Sequence, residues 1–237
     1  MPPTATISHE VPQPDVPQPI SRVFGFDRGT PIDRYYIERF LNQNKSDIRG
    51  RVMEVGSASY TKRFGGTRVN QIDVLHATPG NPHATLVGDL ATGAGIPDDR
   101  YNCIVLTQVL PFVFDIFGAV KTCHRALRPG GVVLATVPGI SQISRYDMDR
   151  WGDFWRFTDL SARRLFQGAF AKDAGQAGSG GSGGSGGVDV QTAGNVSVAN
   201  SFLQGMALEE IPPDQLDVID PDYQLIITIR ARKGPQS

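Results

Sequence analysis

A short apolar run followed by a glycine is the feature that most constrains the fold of this chain. Val52, Met53 and Val55 predict a buried strand that carries Glu54 and ends before Gly56. Small residues follow, and the stretch 60–64 is typical of a helix start. A strand, a tight turn and a helix form the first unit of a doubly wound α/β sheet, which binds ligands outside the carboxyl ends of its strands. We therefore expect Gly56 to bring the backbone close to a ligand and Glu54 to face the same crevice.

The turn after this strand lacks the glycines that a dinucleotide requires. The pyrophosphate-binding pattern is G-x-G-x-x-G, but Ala58 and Tyr60 stand where further glycines would fall. A dehydrogenase is therefore disfavoured, and a ligand without phosphates fits the turn better.

The rest of the chain alternates predicted strands with predicted helices, as a doubly wound sheet requires. The second strand has Asp73 at its end, the third ends near Asp89, and the fourth is apolar throughout, which indicates burial on both faces. The fifth follows Arg128-Pro129-Gly130-Gly131. The predicted strands are 52–55, 68–75, 84–90, 101–108, 132–137, 188–191 and 223–229. The predicted helices cover 33–41, the region from 60, 116–127, the region from 159 and 195–210.

This order of elements is similar to that of class I methyltransferases that use S-adenosylmethionine (SAM), and Glu54-x-Gly56 resembles their first motif. The segments 24–36, 60–65, 73–76 and 144–158 resemble, more narrowly, bacterial small-molecule methyltransferases that are associated with glycosyltransferases. The resemblance covers about residues 23–232. It implies a mostly parallel seven-stranded Rossmann-like sheet whose last strand runs antiparallel between the fifth and the sixth.

The resemblance implies SAM as the cofactor. A carboxylate at the end of the second strand can accept two hydrogen bonds from a ribose diol, so we expect Asp73 to bind the ribose. The alternative is that Asp73 is an ordinary surface residue of a turn. The family places a group that binds the adenine amine at the end of the third strand, near Asp89. The predicted cofactor residues are Glu54, Gly56, Ser57, Tyr60, Asp73, Val74, Asp89, Leu90 and Gln108.

A charged, aromatic loop follows the fifth strand on the ligand side of the sheet. Aromatic faces beside charged groups suit a polar or sugar-like acceptor, whereas an Arg–Asp network that only fastens the loop is the alternative. A hydroxyl acceptor also requires a base. The predicted acceptor-binding residues are Tyr36, Pro111, Arg145, Arg150, Trp151 and Trp155. The candidate bases are Asp149, Tyr146 and His76.

The domain organisation follows from composition along the chain. Residues 1–22 are rich in proline and predict a flexible leader, 23–232 predict the methyltransferase domain, and 233–237 a tail. The domain is interrupted at 178–187 by a regular glycine–serine repeat, which is typical of an engineered flexible linker.

Charge and cysteine content restrict the partners. The net charge is −1, which predicts no attraction to nucleic acid or to an anionic membrane. Cys103 and Cys123, the only cysteines, predict two buried thiols and no metal site, and a cytoplasmic location is the default expectation. The function expected is methyl transfer from SAM to a small molecule, most simply to a hydroxyl of a sugar or natural product. The alternative is a SAM- or nucleotide-binding module without turnover that partners a glycan-assembly enzyme. The oligomeric state stays open.

Overall fold

The computed structural model describes residues 18–170 and 187–235, which build a seven-stranded sheet with helices on both faces. The strand order is β3-β2-β1-β4-β5-β7-β6. The first five strands in the chain are parallel to one another, and β7 pairs antiparallel with both β5 and β6. This confirms the predicted Rossmann-like methyltransferase fold, including the antiparallel last strand. The strands are β1 Gly50–Val55, β2 Val69–His76, β3 Leu86–Val87, β4 Tyr101–Thr107, β5 Leu127–Pro138, β6 Val188–Ala193 and β7 Ile226–Arg232.

Capping side chains and a glycine mark the ends of several helices. They are α1 Ile32–Gln43, α2 Ile116–Ala126, α3 Arg145–Met148, α4 Asp159–Phe170, α5 Val196–Gln204 and α6 Pro213–Leu216. The Asp115 side chain accepts a bond from the backbone N–H of Gly118 at the start of α2, and Asn195 caps α5 in the same way. Gly205 ends α5 at φ +75°, a left-handed conformation that glycine adopts without steric cost. The predicted helix 195–210 is therefore shorter than expected.

Two apolar layers hold the sheet. On one face, Ile104, Leu106 and Val133 pack with α2 and α4, and on the other, Val105 and Leu134 pack with α1. Because alternate residues of β4 enter opposite layers, the strand is buried on both faces, as its unbroken apolar run predicted. Cys103 and Cys123 are free and buried, and burial raises the pKa of both thiols.

Three local predictions need correction. The second strand does not end at Asp73 but continues to His76, because Val74 and Leu75 are buried within it. The third strand is only two residues long. The predicted helix after β1 is a single π-helical turn, Thr61–Gly65, followed by a 3₁₀ turn.

Described residues on both sides of the predicted domain 23–232 make contacts with it. Most of the leader 1–22 lies outside the described residues, but the N–H groups of Ile20 and Ser21 both bond the carbonyl of Gln204. In the predicted tail, the Lys233 ammonium lies 2.7 Å from a carboxylate oxygen of Asp99. The glycine–serine repeat lies between α4 and β6 and, apart from its last residue, outside the described part of the chain. Among the described helices, none is long and apolar enough to cross a membrane.

Candidate active site

A cleft of about 550 Å³ opens at the carboxyl ends of β1 and β4. The chain runs outward from β1 through β2 to β3 and returns to β4 on the other side of β1, so this is the point where the strand order reverses. Open α/β sheets bind their ligands at such a point. The cleft is closed from above by the segment 22–26, by α1 and by the loop that follows β5.

Glu54 holds the turn that forms the floor of the cleft. Its carboxylate accepts hydrogen bonds from the backbone N–H groups of Tyr60, at 3.1 Å, and Thr61, at 2.8 Å. Burial raises the pKa of Glu54, and these N–H bonds partly oppose that rise. Glu54 lines the cleft as predicted, but both of its oxygens are engaged by the backbone of the turn, which it positions.

Gly56 has the backbone conformation and the open space that a close approach of a ligand would require. Its φ is +80°, and among the described residues no atom outside Gly56 and its two chain neighbours lies within 4 Å of the position that a Cβ would occupy. The space above this residue is therefore free for a ligand. Ser57, which also lines the cleft, bonds through its hydroxyl to that of Ser59 at 3.1 Å.

Gln108 lies directly after β4 with a backbone conformation that is uncommon for a residue with a side chain, φ +54°. Its backbone N–H donates to the carbonyl of Thr136 at 2.9 Å, which keeps the residue attached to β5. Its side chain lines the cleft. Strained residues of this kind concentrate at ligand sites, where surrounding structure enforces them.

Three charged or polar side chains meet beneath the first turn of α1. Asp33 and Arg34 both line the cleft, and an Nη1 hydrogen of Arg34 is donated to the Tyr60 hydroxyl at 3.1 Å. One carboxylate oxygen of Asp33, Oδ1, is buried without any hydrogen-bond partner among the described residues. Burial raises the pKa of Asp33, and the nearby Arg34 charge only partly offsets this effect.

The loop after β5 divides into two functional halves. In its second half, Asp153 pairs with Arg156 at 2.6 Å and accepts the N–H of Ser144 at 2.9 Å. Burial alone would raise the pKa of Asp153, but these bonds hold it below its ordinary value. Arg156 also donates to the carbonyl of Gln142. This half is the fastening network that the sequence offered as an alternative.

Both halves of the loop line the cleft, the second through Asp153 and Arg156. Arg145 and Tyr146 line it from α3, and Pro111 lines it from the opposite side. Tyr146 is 67% exposed, and the guanidinium of Arg150 lies 3.6 Å from its ring centroid. Of the three candidate bases, Tyr146 is the one that lines this cleft.

Asp73 lies outside the cleft. It pairs with Met53 in the middle of the β1–β2 ladder, and its carboxylate accepts hydrogen bonds from Arg51 at 2.9 and 3.0 Å and from Arg100 at 3.4 Å. Burial would raise the pKa of Asp73, but the Arg51 bonds lower it below its ordinary value. The residue placed beside Gly56 is His76, because Val55 pairs with Leu75.

Other predicted site residues also lie outside the cleft lining. Tyr36 is buried and donates to the carbonyl of Leu216 at 3.0 Å, and Trp155 donates to that of Val113 at 3.1 Å. Asp89 accepts the N–H of Ala91 within its own loop. The predicted residues that the cleft lining does not include are Gly56, Asp73, Val74, His76, Asp89, Leu90, Tyr36, Asp149, Arg150, Trp151 and Trp155.

Sequence reasoning missed the cleft residues of the N-terminal segment and of α1. Arg22 belongs to the segment predicted as a leader. Asp33 and Arg34 belong to a helix on which Tyr36 was the predicted site residue. An acidic residue in a first helical turn is ordinarily explained by the helix dipole. Only the packing of α1 over the sheet shows that Asp33 turns into a cleft.

Part of the chain is similar in sequence to a known family of domains. Residues 56–135 match the family model described as "Methyltransferase domain". This segment is therefore similar to a methyltransferase domain. The match begins at Gly56, directly after β1, and ends within β5, so it covers β2, β3, β4 and most of β5. No curated protein is significantly similar to the chain in sequence.

Solved structures share the fold at low sequence identity. The N-methyltransferase NodS from Bradyrhizobium japonicum, in complex with S-adenosyl-L-homocysteine (SAH), has a TM-score of 0.51 and 13% identity, over 87% of this chain and 89% of NodS. A SAM-dependent methyltransferase from Archaeoglobus fulgidus has a TM-score of 0.51 and 9% identity, over 84% and 94%. The [4+2]-cyclase SpnF has a TM-score of 0.52 and 15% identity, over 88% and 85%. At these identities the solved structures show a shared fold, and the domain match is what supports a methyltransferase enzyme.

Proposed function

We propose that this chain binds SAM in the cleft and transfers its methyl group to a small-molecule acceptor. The observation that carries the proposal is the cleft at the strand-order reversal, beside which Gly56 leaves open space, and the match of residues 56–135 to a methyltransferase domain supports it. SAM fits the residues present, because a ligand can approach the backbone at Gly56 and the buried Asp33 oxygen lacks a partner that a bound cation would supply.

The cofactor's ribose is proposed to lie at His76 rather than at Asp73. His76 ends β2 beside Gly56, and its Nδ1 lies 2.7 Å from the carbonyl oxygen of Thr78. A carbonyl can only accept, so the tautomer with the proton on Nδ1 makes this bond, and Nε2 is then the ring nitrogen available to accept from a ribose hydroxyl. The Trp151 ring meets the imidazole edge-on, with centroids 5.4 Å apart, and restricts its orientation.

The acceptor is proposed to enter between Pro111 and α3, with a hydroxyl of a sugar or natural product as the reacting group. Bound SAM would supply an electrophilic methyl group. The acceptor oxygen would form a bond to the methyl carbon, and the sulfur would keep the electron pair of the broken C–S bond. The protein's task is then to orient the acceptor, exclude water and accept one proton. Arg145 provides hydrogen-bond donors for a polar acceptor, and Tyr146 is placed to hold the reacting hydroxyl. The resemblance to glycosyltransferase-associated methyltransferases supports a sugar-bearing acceptor.

A methyl-transfer assay against hydroxylated and sugar-bearing compounds tests the proposal. SAH binding is measured by calorimetry in parallel, on the full chain. Tyr146→Ala should reduce transfer about tenfold or more while SAH affinity changes less than about twofold, since Tyr146 contributes to acceptor positioning. Tyr223→Ala, an exposed tyrosine outside the cleft lining, is the control.

Two outcomes would contradict the proposal. A chain that binds SAH but methylates nothing in the panel would favour the binding module without turnover. The [4+2]-cyclase SpnF, whose fold is similar, is an example of a protein with this architecture and another activity. Unchanged turnover in Tyr146→Ala would place the acceptor elsewhere.

A further inference from the structure

We infer that Asp33 and Arg34 form a receptor for a zwitterion, with Asp33 binding the α-ammonium and Arg34 the α-carboxylate of the methionyl or homocysteinyl part of the cofactor. The inference rests on the proposed function, because it assigns one end of the same ligand. Neither residue belongs to the matched segment 56–135, so the family match says nothing about them.

One oxygen of the Asp33 carboxylate lacks a hydrogen-bond partner. The side chain is 14% exposed, and Oδ1 is buried with no hydrogen-bond donor among residues 18–170 and 187–235. Backbone bonds from Asp33 and Arg34 partly satisfy the carboxylate, but a buried oxygen without a donor is unfavourable and calls for an explanation. An ammonium group has three donors and no acceptor, so it is the complement that Asp33 lacks.

Arg34 is held in place and forms only a long ion pair with Asp33. Its Nε lies 4.0 Å from Asp33 Oδ1, which is within ion-pair distance but too long for a hydrogen bond, and its Nη1 donates to the hydroxyl of Tyr60. The guanidinium also lies 5.9 Å from the centroid of the Phe26 ring, which restricts it from the other side. A planar guanidinium fixed in this way, with N–H donors to spare, suits bidentate recognition of a carboxylate.

The position of the pair matches one end of the proposed cofactor. Tyr60 belongs to the turn that Glu54 caps, so its bond to Arg34 attaches the first turn of α1 to the end of β1. His76 lies on the other side of Gly56, at the end of β2. Asp33 and Arg34 line the cleft, whereas Gly56 and His76 lie beside its lining, so a ligand with its ribose at His76 would enter the cleft past Gly56 with its opposite end toward Asp33 and Arg34. In SAM and SAH that end carries one ammonium and one carboxylate.

Calorimetry with a set of ligands tests each charge separately. The probes are SAH, its decarboxylated analogue, its deaminated analogue and 5′-methylthioadenosine, which lacks both groups. The wild type should bind SAH about tenfold or more tightly than either single-deletion analogue, as expected for one charge-assisted contact each. Arg34→Gln should lose about tenfold in SAH affinity, and removing the ligand's carboxylate should then cost nothing further. Asp33→Asn should show the same behaviour toward the ammonium.

Controls separate binding from folding and from the proposed function. Both variants should bind 5′-methylthioadenosine like the wild type, which shows that the cleft is intact. Arg39→Gln, one turn further along α1 and paired with Asp217 at the surface, should leave all affinities unchanged. If Arg34→Gln and Asp33→Asn still discriminate among the analogues as the wild type does, the receptor is wrong while SAM binding stands. If the wild type binds no adenosyl ligand, the proposed function fails and the receptor with it.

Discussion

Replacing Asp73 by Asn distinguishes a structural ion pair from a cofactor contact. The Asp73 side chain is 11% exposed and accepts two bonds from Arg51, whose own side chain is 18% exposed. Hydrogen bonds to charged groups contribute about 1.5–3 kcal/mol each, but Asn retains one acceptor oxygen, so we expect a loss of about 2 kcal/mol in the free energy of unfolding. For a domain of this size, that lowers Tm by about 4–8 °C.

The pH dependence of this loss has a definite sign. The folded-state pKa of Asp73 is lowered, so the wild type gains stability from the ionised group above the unfolded-state pKa, near 3.9. That gain disappears as the pH falls through the folded-state value. Denaturation of both proteins between about pH 7 and pH 3 should therefore show the difference shrinking in acid.

SAH affinity gives the decisive readout. We expect it to change less than about twofold in Asp73→Asn, whereas a lost carboxylate–ribose contact would cost about tenfold or more. Asp47→Asn is the matched control, because Asp47 is also 11% exposed and is paired with an arginine, Arg230. A variant that keeps its Tm but loses SAH affinity would refute the structural assignment and restore Asp73 as the ribose ligand.

Three further changes test the floor of the cleft, the fastening network and the repeat. Gly56→Ala should cost about 1–2 kcal/mol in unfolding free energy through its positive φ and should weaken SAH binding, and calorimetry that shows full affinity would contradict the close approach. Arg156→Ala leaves Asp153, 1% exposed, without its counter-charge and should cost about 3 kcal/mol in a denaturant titration; a loss below about 0.5 kcal/mol would mean that the pair does not fasten the loop. Lengthening 178–187 by several residues should cost well under 1 kcal/mol, and a large drop in Tm would show that the repeat packs.

The sequence predicted the architecture because its strands are signalled by local patterns. An unbroken apolar run identifies β4, and the alternation of strands and helices leaves few possible topologies. Strand ends are signalled less well. Asp73 resembles a strand end because it is an acid after a polar stretch, yet Val74 and Leu75 continue the buried ladder beyond it. Because the strand ends three residues later, Asp73 lies within the β1–β2 ladder and not at the carboxyl end of β2, where the cleft opens.

The site could be predicted where it lies at the ends of β1, β4 and β5 and in the loops that follow them, which include Pro111, Arg145 and Tyr146. Glu54, Ser57, Tyr60 and Gln108 line the cleft because the carboxyl ends of β1 and β4 must open at the switch point. Asp33 could not be found in this way, because its position depends on how α1 packs across the sheet.

The arrangement of charges in the cleft connects stability with function. Glu54 is buried, and both of its oxygens are engaged by backbone N–H groups of the turn. Asp33 is comparably enclosed, yet one of its oxygens has no donor. Because burial raises the pKa of Asp33, its ionised form destabilises the ligand-free protein above that pKa, and the cost is relieved as the pH falls through it. A fold retains such a group when a ligand compensates for it, so the same carboxylate that weakens the empty protein would strengthen the complex.

Asp33→Asn should therefore raise the Tm of the ligand-free chain at neutral pH while reducing the further rise in Tm that saturating SAH produces. A variant that lowers the ligand-free Tm at neutral pH would mean that Asp33 is already satisfied within the fold, and the argument for a bound cation would lose its main support.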